Sequence, residues 1–290
     1  MVYTEDTVLA KEEGVQVVKM DGTRENFDPE KLRGSLRRAG APTTTIEAIV
    51  LKIEHEIEDG MTTGEIYKRA YNILEKEERP VAARYSLRRA ITEFGPSGFP
   101  FEHFVSEIFR AKGFEVQTGV MVQGKCVEHE VDMIAENDST EISMEIKFHN
   151  NPKIKSDLKV ALYVKSRFDD IFAEQSREVS GKEKQGWLLT NTKFTKNALR
   201  YAECAGLNIV SWSYPGEENL HKMIEETGLH PLTCLTGIPA REKTLLVNQG
   251  VVLCRDIKQN PNLLEEVGLK EDVISNILDE ANQLCVPTVN

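Results

Sequence analysis

A run of breakers, Gly95-Pro96-Ser97-Gly98, divides two stretches of chain that cannot share one architecture. Before it, apolar residues recur at helical spacing, as in Ile46, Ile49, Val50, Ile53 and Ile57, then Ile66, Ala70, Ile73 and Leu74. After it, beyond one amphipathic helix, apolar residues alternate or run together as they do in strands. Glycine and proline crowded together mark a loop, so the core must be built at least twice. The 290 residues are enough for two or three domains. The predicted division is an acidic tail at 1–14, then modules at 15–95, 96–216 and 217–290.

The first module is read as α+β, a hairpin plus four helices. Residues 14–19 form a strand, Asp21-Gly22 turns it, and 24–27 return. Asp28-Pro29 supplies an N-cap and a first-turn proline, and Leu32, Leu36 and Ala39 mark the apolar side of the helix that follows. A second helix follows Thr45. Thr62 with Glu65 three residues on is a capping box that opens the third. Pro80 opens the fourth, which carries Val81, Ala82, Tyr85 and Ile91. The second module reads as α/β in the order α-β-β-β-α-β-α-β: a helix over 101–112, strands at 114–122, 127–135 and 141–148, a helix over 156–172, a strand at 186–190, a helix over 195–205 and a last strand at 207–212. The third module is all-α, its short helices separated by Gly237-Ile238-Pro239, Gly250-Val251 and Gly268-Leu269.

Composition narrows the function classes. No apolar run approaches a membrane span, and the acidic N-terminus does not resemble a signal peptide, so a cytoplasmic protein is expected. The five cysteines are widely spaced, without a C-x-x-C pair, and are expected to be buried reduced thiols. Net charge is −11, against nucleic acid overall, yet Lys153, Lys155, Lys159, Lys165 and Arg167 face only one acid, Asp157, in their stretch. Such a strip can track phosphates on an acidic chain, because salt screens distant charge. It is equally a solvated helix face.

The residues richest in chemistry are Asp132 and Glu145-Ile146-Lys147. Alternation along a strand puts Glu145 and Lys147 on one face, and Asp132 lies across the hairpin. Two carboxylates and an ammonium then meet in one place. Hard oxygen ligands suit Mg²⁺, which needs only one or two carboxylates besides water and phosphate. A nearby lysine can orient a water or stabilise charge on the phosphate. This is the equipment of metal-assisted phosphodiester hydrolysis. By themselves, Glu102 reads as a solvated helix glutamate, and His129 and His149 as either phosphate contacts or structural histidines.

The D-x(12)-E-x-K pattern on a hairpin, behind a helix bearing a glutamate, resembles the PD-(D/E)xK restriction-endonuclease superfamily, and most its Mrr-type branch. Phe101-Glu102 with Val105, Gly113-Phe114-Glu115-Val116, Leu189-Thr190-Asn191 and Phe194-Thr195 with Ala198 carry the likeness over residues 98–214. It implies a Mg²⁺- or Mn²⁺-dependent DNA endonuclease, with Asp132 and Glu145 as metal ligands, Lys147 positioning or activating the attacking water and Glu102 supporting a metal-bound water. Mrr-type enzymes often carry glutamine where this chain has Glu145. The basic strip would then hold DNA. A scaffold that binds DNA without cutting is the alternative.

Val17-Val18-Lys19-Met20-Asp21-Gly22, Phe27-Asp28 with Lys31-Leu32, Ile66, and Ala82-Ala83-Arg84-Tyr85 resemble the ATP-cone over residues 15–92. The likeness implies ATP or dATP as an effector, lined by Lys19, Gly22, Lys31 and Thr63. Met20 stands where arginine is common, and Tyr67 where histidine is. No G-x-x-x-x-G-K-[ST] loop occurs in the chain, so nucleotide is expected to bind without turnover. The 217–290 tail resembles a helix-hairpin-helix or SAM-like domain through Leu235-Thr236-Gly237-Ile238-Pro239. Pro239 lacks the amide that phosphate binding wants at such a turn, and the tail is acidic, so a protein-contact role in a homo-oligomer is expected.

Overall fold

The computed structural model describes residues 14–19, 22–175 and 181–285. Most of the expected acidic tail, and Met20 and Asp21 of the expected hairpin turn, lie outside the described residues. Contacts divide the chain into two compact units at Val81/Ala82.

In the first unit β1 (Gln16–Val18) pairs antiparallel with β2 (Arg24–Asn26), Val17 opposite Glu25. Gly22 adopts φ +84°, a left-handed conformation that a side chain would strain. Helices α1 (Pro29–Arg38), α2 (Thr43–Glu56) and α3 (Thr63–Glu77) follow. Their starts are local chemistry. Asp28 Oδ1 accepts from the amide of Glu30 at 3.0 Å, and Thr62 and Glu65 cap each other's amides. Leu32, Leu36, Ile46, Ile49, Val50, Ile53, Ile66, Ala70 and Leu74 are buried, whereas Ile57 and Ile73 are only partly so. The amide of Val18 donates to Met61 O at 3.0 Å, which brings the N-terminus of α3 beside β1.

The fourth expected helix is two, α4 (Arg79–Tyr85) and α5 (Leu87–Thr92), parted at Ser86, whose hydroxyl donates to Ala83 O. The unit boundary falls inside α4. Ala83, Leu87, Ala90, Ile91 and Phe94 join the core of the second unit, so Gly95–Gly98 turns the chain within that unit.

The second unit continues with α6 (Phe99–Ala111), β3 (Glu115–Gln123), β4 (Glu128–Glu136), β5 (Thr140–Lys147), β6 (Lys155–Ser156), α7 (Leu158–Gln175), β7 (Glu183–Thr190), β8 (Lys193–Phe194), α8 (Lys196–Ala205) and β9 (Asn208–Val210). The sheet order is β3-β4-β5-β7-β9, antiparallel through β5 and parallel beyond, with β6 and β8 a separate parallel pair. Both faces are covered. Met144, Ile146 and Leu189 face the core shared with α5 and α6, while Leu188 and Ile209 pack with Val164, Phe168 and Ala198 of α7 and α8. β5 is buried on both faces although its sequence alternates, with Ile142, Met144 and Ile146 on one face and buried Ser143 and Glu145 on the other.

The tail folds as α9 (Leu220–Thr227), a 3₁₀ turn (Leu232–Cys234), α10 (Ala240–Asn248), α11 (Cys254–Gln259), α12 (Asn262–Glu266) and α13 (Glu271–Leu284). It shares one continuous apolar cluster with α5 and α6, through Leu220, Ile224, Leu232, Leu246 and Ile277. The hydroxyl of Thr233 donates to Ala90 O at 2.6 Å, and Arg255 pairs with Glu107. All five cysteines are free. Cys234 and Cys254 are buried as expected, but Cys126 and Cys204 are exposed. No helix among the described residues is long and apolar enough to cross a membrane.

Candidate functional site

The β4–β5 ladder runs from Glu136–Glu141 to Met133–Met144, and Asp132 and Glu145 come next on the two strands. There the backbone pairing ends and a side chain takes over. Asp132 Oδ2 accepts the amide of Ile146 at 2.7 Å. An amide at a strand end needs a partner, and a carboxylate is a strong one. Glu145 is only 2% exposed. Its Oε1 meets Lys147 Nζ at 2.5 Å and its Oε2 is held by Arg167 of α7, which also donates to Glu130 O at 3.0 Å. Glu102, in the first turn of α6, completes the group.

The electrostatics tie these residues together. Burial pushes the Glu102 carboxyl up to about 7, helped by Asp132, Glu145 and Glu130 and opposed by Lys147. Burial and Asp132 raise Glu145, against the pull of Lys147 and Arg167. All four expected residues, Glu102, Asp132, Glu145 and Lys147, are thus brought to one place. Among the described residues no three His, Cys, Asp or Glu side chains gather closely enough to hold a metal by themselves. Two crowded carboxylates still match the hard-oxygen demand of Mg²⁺ or Mn²⁺, because a hydrated cation and a phosphate supply the other ligands. A cation would also relieve the repulsion that raises Glu102 and Glu145.

The surroundings keep this geometry. A Cβ on Gly98 would sit 2.9 Å from Glu102 Oε1, so a side chain there would push that carboxylate aside. Buried Asn191 accepts the amide of His149 at 2.9 Å and donates to its carbonyl at 2.8 Å, fixing the chain just after Lys147. His149 is lowered by burial and by Lys147, and its ring meets Ser156 Oγ at 3.3 Å. His129 is tied to Asp170 at 2.8 Å, and Asp170 also gathers the amides of Cys126 and Val127. Both histidines have structural partners.

The basic strip divides. Lys153, Lys155 and Lys159 are exposed, with no carboxylate partner among the described residues. Lys165 pairs with Asp169 one turn on, and Arg167 is spent on Glu145. The sequence grouped Arg167 with the phosphate-tracking cations. Its link to Glu145 was missed because the two residues are joined only by the packing of α7 on the sheet.

In the first unit, Lys19 and Lys31 converge on one carboxylate, Glu25 Oε2, at 2.6 and 3.0 Å. Together the two lysines hold Glu25 below its ordinary value. Gly22 is in the same hairpin, and Thr63 opens α3 beside Thr62, which bridges to Val18. The expected nucleotide residues therefore lie on or beside the β1–β2 hairpin. In the tail, Glu280 of α13 accepts the amides of Thr236 and Gly237 at 2.7 and 3.1 Å. The turn that resembles a helix-hairpin-helix thus gives its amides to a carboxylate.

Three family models match in the same order as the modules: ATP cone domain at 15–93, restriction endonuclease (Mrr-type catalytic) at 96–215, and AF1548-like, C-terminal, at 230–285. A protein of Archaeoglobus fulgidus named only as uncharacterized is 37% identical over 185 residues, covering 62% of this chain and 99% of that protein. The crystal structure of a protein of unknown function, AF1548, is 36% identical, with TM-score 0.52 over 65% of this chain and 98% of its own. An ATP-cone, a restriction-endonuclease-like α/β domain and a helical C-terminal region follow one another here, and the chain belongs to the AF1548-like family.

Proposed function

We propose that the protein is a Mg²⁺- or Mn²⁺-dependent DNA endonuclease whose activity or assembly responds to ATP or dATP. The observation that carries this reading is the gathering of Glu102, Asp132, Glu145 and Lys147 where β4 and β5 part, with Glu102 raised to about 7 by burial and, to a lesser degree, by its carboxylate neighbours. Asp132 and Glu145 would hold the metal, which when bound polarises a phosphate and acidifies a coordinated water. The chain's own residues do the rest. Lys147 and Arg167 grip the two oxygens of Glu145 and fix its orientation. The ammonium of Lys147, partly exposed, would orient the attacking water and stabilise charge on the phosphate. Glu102, half-ionised near neutral pH, can hold a water and take up its proton. Lys153, Lys155 and Lys159 would meet the DNA backbone, which positions without reading sequence.

Lys19, Gly22, Lys31 and Thr63 would line the nucleotide, the lysines exchanging Glu25 for phosphate. The last helix of the ATP-cone match, α5, packs in the core of the nuclease unit, so the two domains share structure as well as chain. The test is supercoiled plasmid with Mg²⁺ or Mn²⁺, with and without ATP or dATP, and sedimentation of the same samples. Nicking that responds to nucleotide is expected. Homogeneous protein that binds DNA but cuts neither DNA nor RNA would instead identify a nucleotide-sensing scaffold.

A further inference from the structure

Tyr163 lies in α7, four residues after Lys159 and four before Arg167. At that spacing the three side chains stack along one face of the helix. Lys159 is exposed at the start of the helix. Arg167, at the other end of the row, is bound to Glu145 in the candidate active site. Between them, Tyr163 is 51% exposed, an uncommon state for a ring that has core to hand. It is not loose. The Arg167 guanidinium lies over it, 4.6 Å from the ring centroid, and is itself anchored on Glu145 and Glu130 O. Leu162 and Ile154, beside Tyr163 and among the strip lysines, are also exposed.

An aromatic ring half open to solvent, clamped from one side by Arg167 and preceded one turn earlier by exposed Lys159, is the equipment of a single-strand site. Lysines follow the phosphates, while the ring takes a base whatever its identity, since every base has a π-face. A paired base inside a duplex has no face to offer such a ring. We propose that Tyr163 is a stacking platform for one unpaired nucleobase, so that the substrate is DNA with single-stranded character beside the scissile phosphate. The strand's phosphates then run along Lys159, Lys155 and Lys153. The anchored guanidinium couples the platform to Glu145, so a stacked base sets where the backbone crosses the carboxylates. This rests on the nuclease reading above and narrows its substrate.

The experiment is binding of labelled oligonucleotides to the full chain in EDTA, where no cutting occurs. Single-stranded, forked and blunt duplex DNA are compared for wild type, Tyr163→Phe and Tyr163→Leu. A 2-aminopurine in the single strand reports stacking by its quenching. Wild type is expected to favour single-stranded and forked DNA. Tyr163→Leu is expected to weaken those about tenfold or more and to abolish quenching, leaving blunt duplex unchanged. Tyr163→Phe, which keeps the ring, should retain both, and that rescue separates stacking from loss of fold. Equal weakening on all three DNAs, or none on any, overturns the platform while leaving the nuclease reading intact. Failure of wild type to bind any DNA removes both.

Discussion

Two clusters of lysine and glutamate, one in each unit, use the same chemistry under opposite conditions. Near the hairpin of the first unit, Glu25 is shared by Lys19 and Lys31, whose side chains are 43% and 61% exposed. On β5, Glu145 is shared by Lys147 and Arg167 but has almost no exposure. The consequences run in opposite directions. The lysines lower Glu25, whereas burial and Asp132 raise Glu145 despite its two cations. An exposed cluster is screened and can trade one anion for another at small cost. A buried one keeps its charges only while every partner is present. The first suits reversible binding of a polyphosphate, the second a site that must be poised before substrate arrives.

The largest expected effect tests the buried cluster's chemistry. Asp132→Asn should cut plasmid cleavage by about a hundredfold or more, the scale of losing one aligned charge in a transition state. The melting point should hold or rise. Asparagine still offers an oxygen to the Ile146 amide, and a negative neighbour of Glu102 and Glu145 is gone. Undiminished nicking by this variant would place the site elsewhere. Next is Arg167→Met, which leaves Glu145 buried with Lys147 alone. Breaking a buried ion pair from one side costs about 3–5 kcal/mol, and the remaining lysine puts this case at the low end. Urea unfolding measures it, and an unmoved midpoint would mean that Glu145 does not depend on its arginine.

A smaller effect separates the clusters by pH. Glu102 is raised to about 7 in the folded chain and returns to its ordinary value near 4.5 on unfolding. Between those values the folded chain holds a proton that the unfolded one has lost. Glu102 therefore favours the fold most below 4.5, and that contribution fades as pH rises through 7. His230, buried and lowered to about 4, acts the other way, weakening the fold as pH falls below 6.5. The difference between wild type and Glu102→Gln isolates the glutamate. In EDTA, the advantage of the variant should grow from pH 4.5 to 7, and saturating Mg²⁺ should shrink it. A constant difference would contradict the burial of Glu102.

What was legible in the sequence was local or strictly periodic. Asp28 and the Thr62–Glu65 box announced their helices because a cap lies within a few residues of what it caps. Alternation put Glu145 and Lys147 together, and the hairpin brought Asp132 opposite. The break at Ser86 was not legible, since no glycine or proline marks it. Nor was the boundary at Val81/Ala82, because the burial of Leu87 and Ile91 is decided by the distant core they join. Arg167 was misgrouped for the same reason: a sequence shows the charge of a helix residue but not which strand lies beneath it. The short β6–β8 pair rests on two residues from each strand, below any pattern that periodicity can register. The tail looked like a separate domain, yet it shares its apolar core with α6, a fact no local spacing encodes.

The mildest change to the fold belongs to the exposed cluster. Lys19→Ala removes one of the two ammonium groups on Glu25, and Lys31 still holds that carboxylate at 3.0 Å. An exposed pair adds little to stability, so the unfolding midpoint should stay where it was, in contrast with Arg167→Met. The effect should appear only when ATP or dATP is added. A charge-assisted contact to phosphate is about twice as strong as a neutral hydrogen bond, which amounts to roughly a ten- to hundredfold loss of nucleotide affinity by calorimetry. Lys31→Ala should do the same, because both ammonium groups reach one point and would serve one phosphate chain. If either variant binds nucleotide as wild type does, that lysine is only a partner of Glu25. If Lys19→Ala instead lowers the unfolding midpoint as far as Arg167→Met does, exposure is not what separates the two clusters.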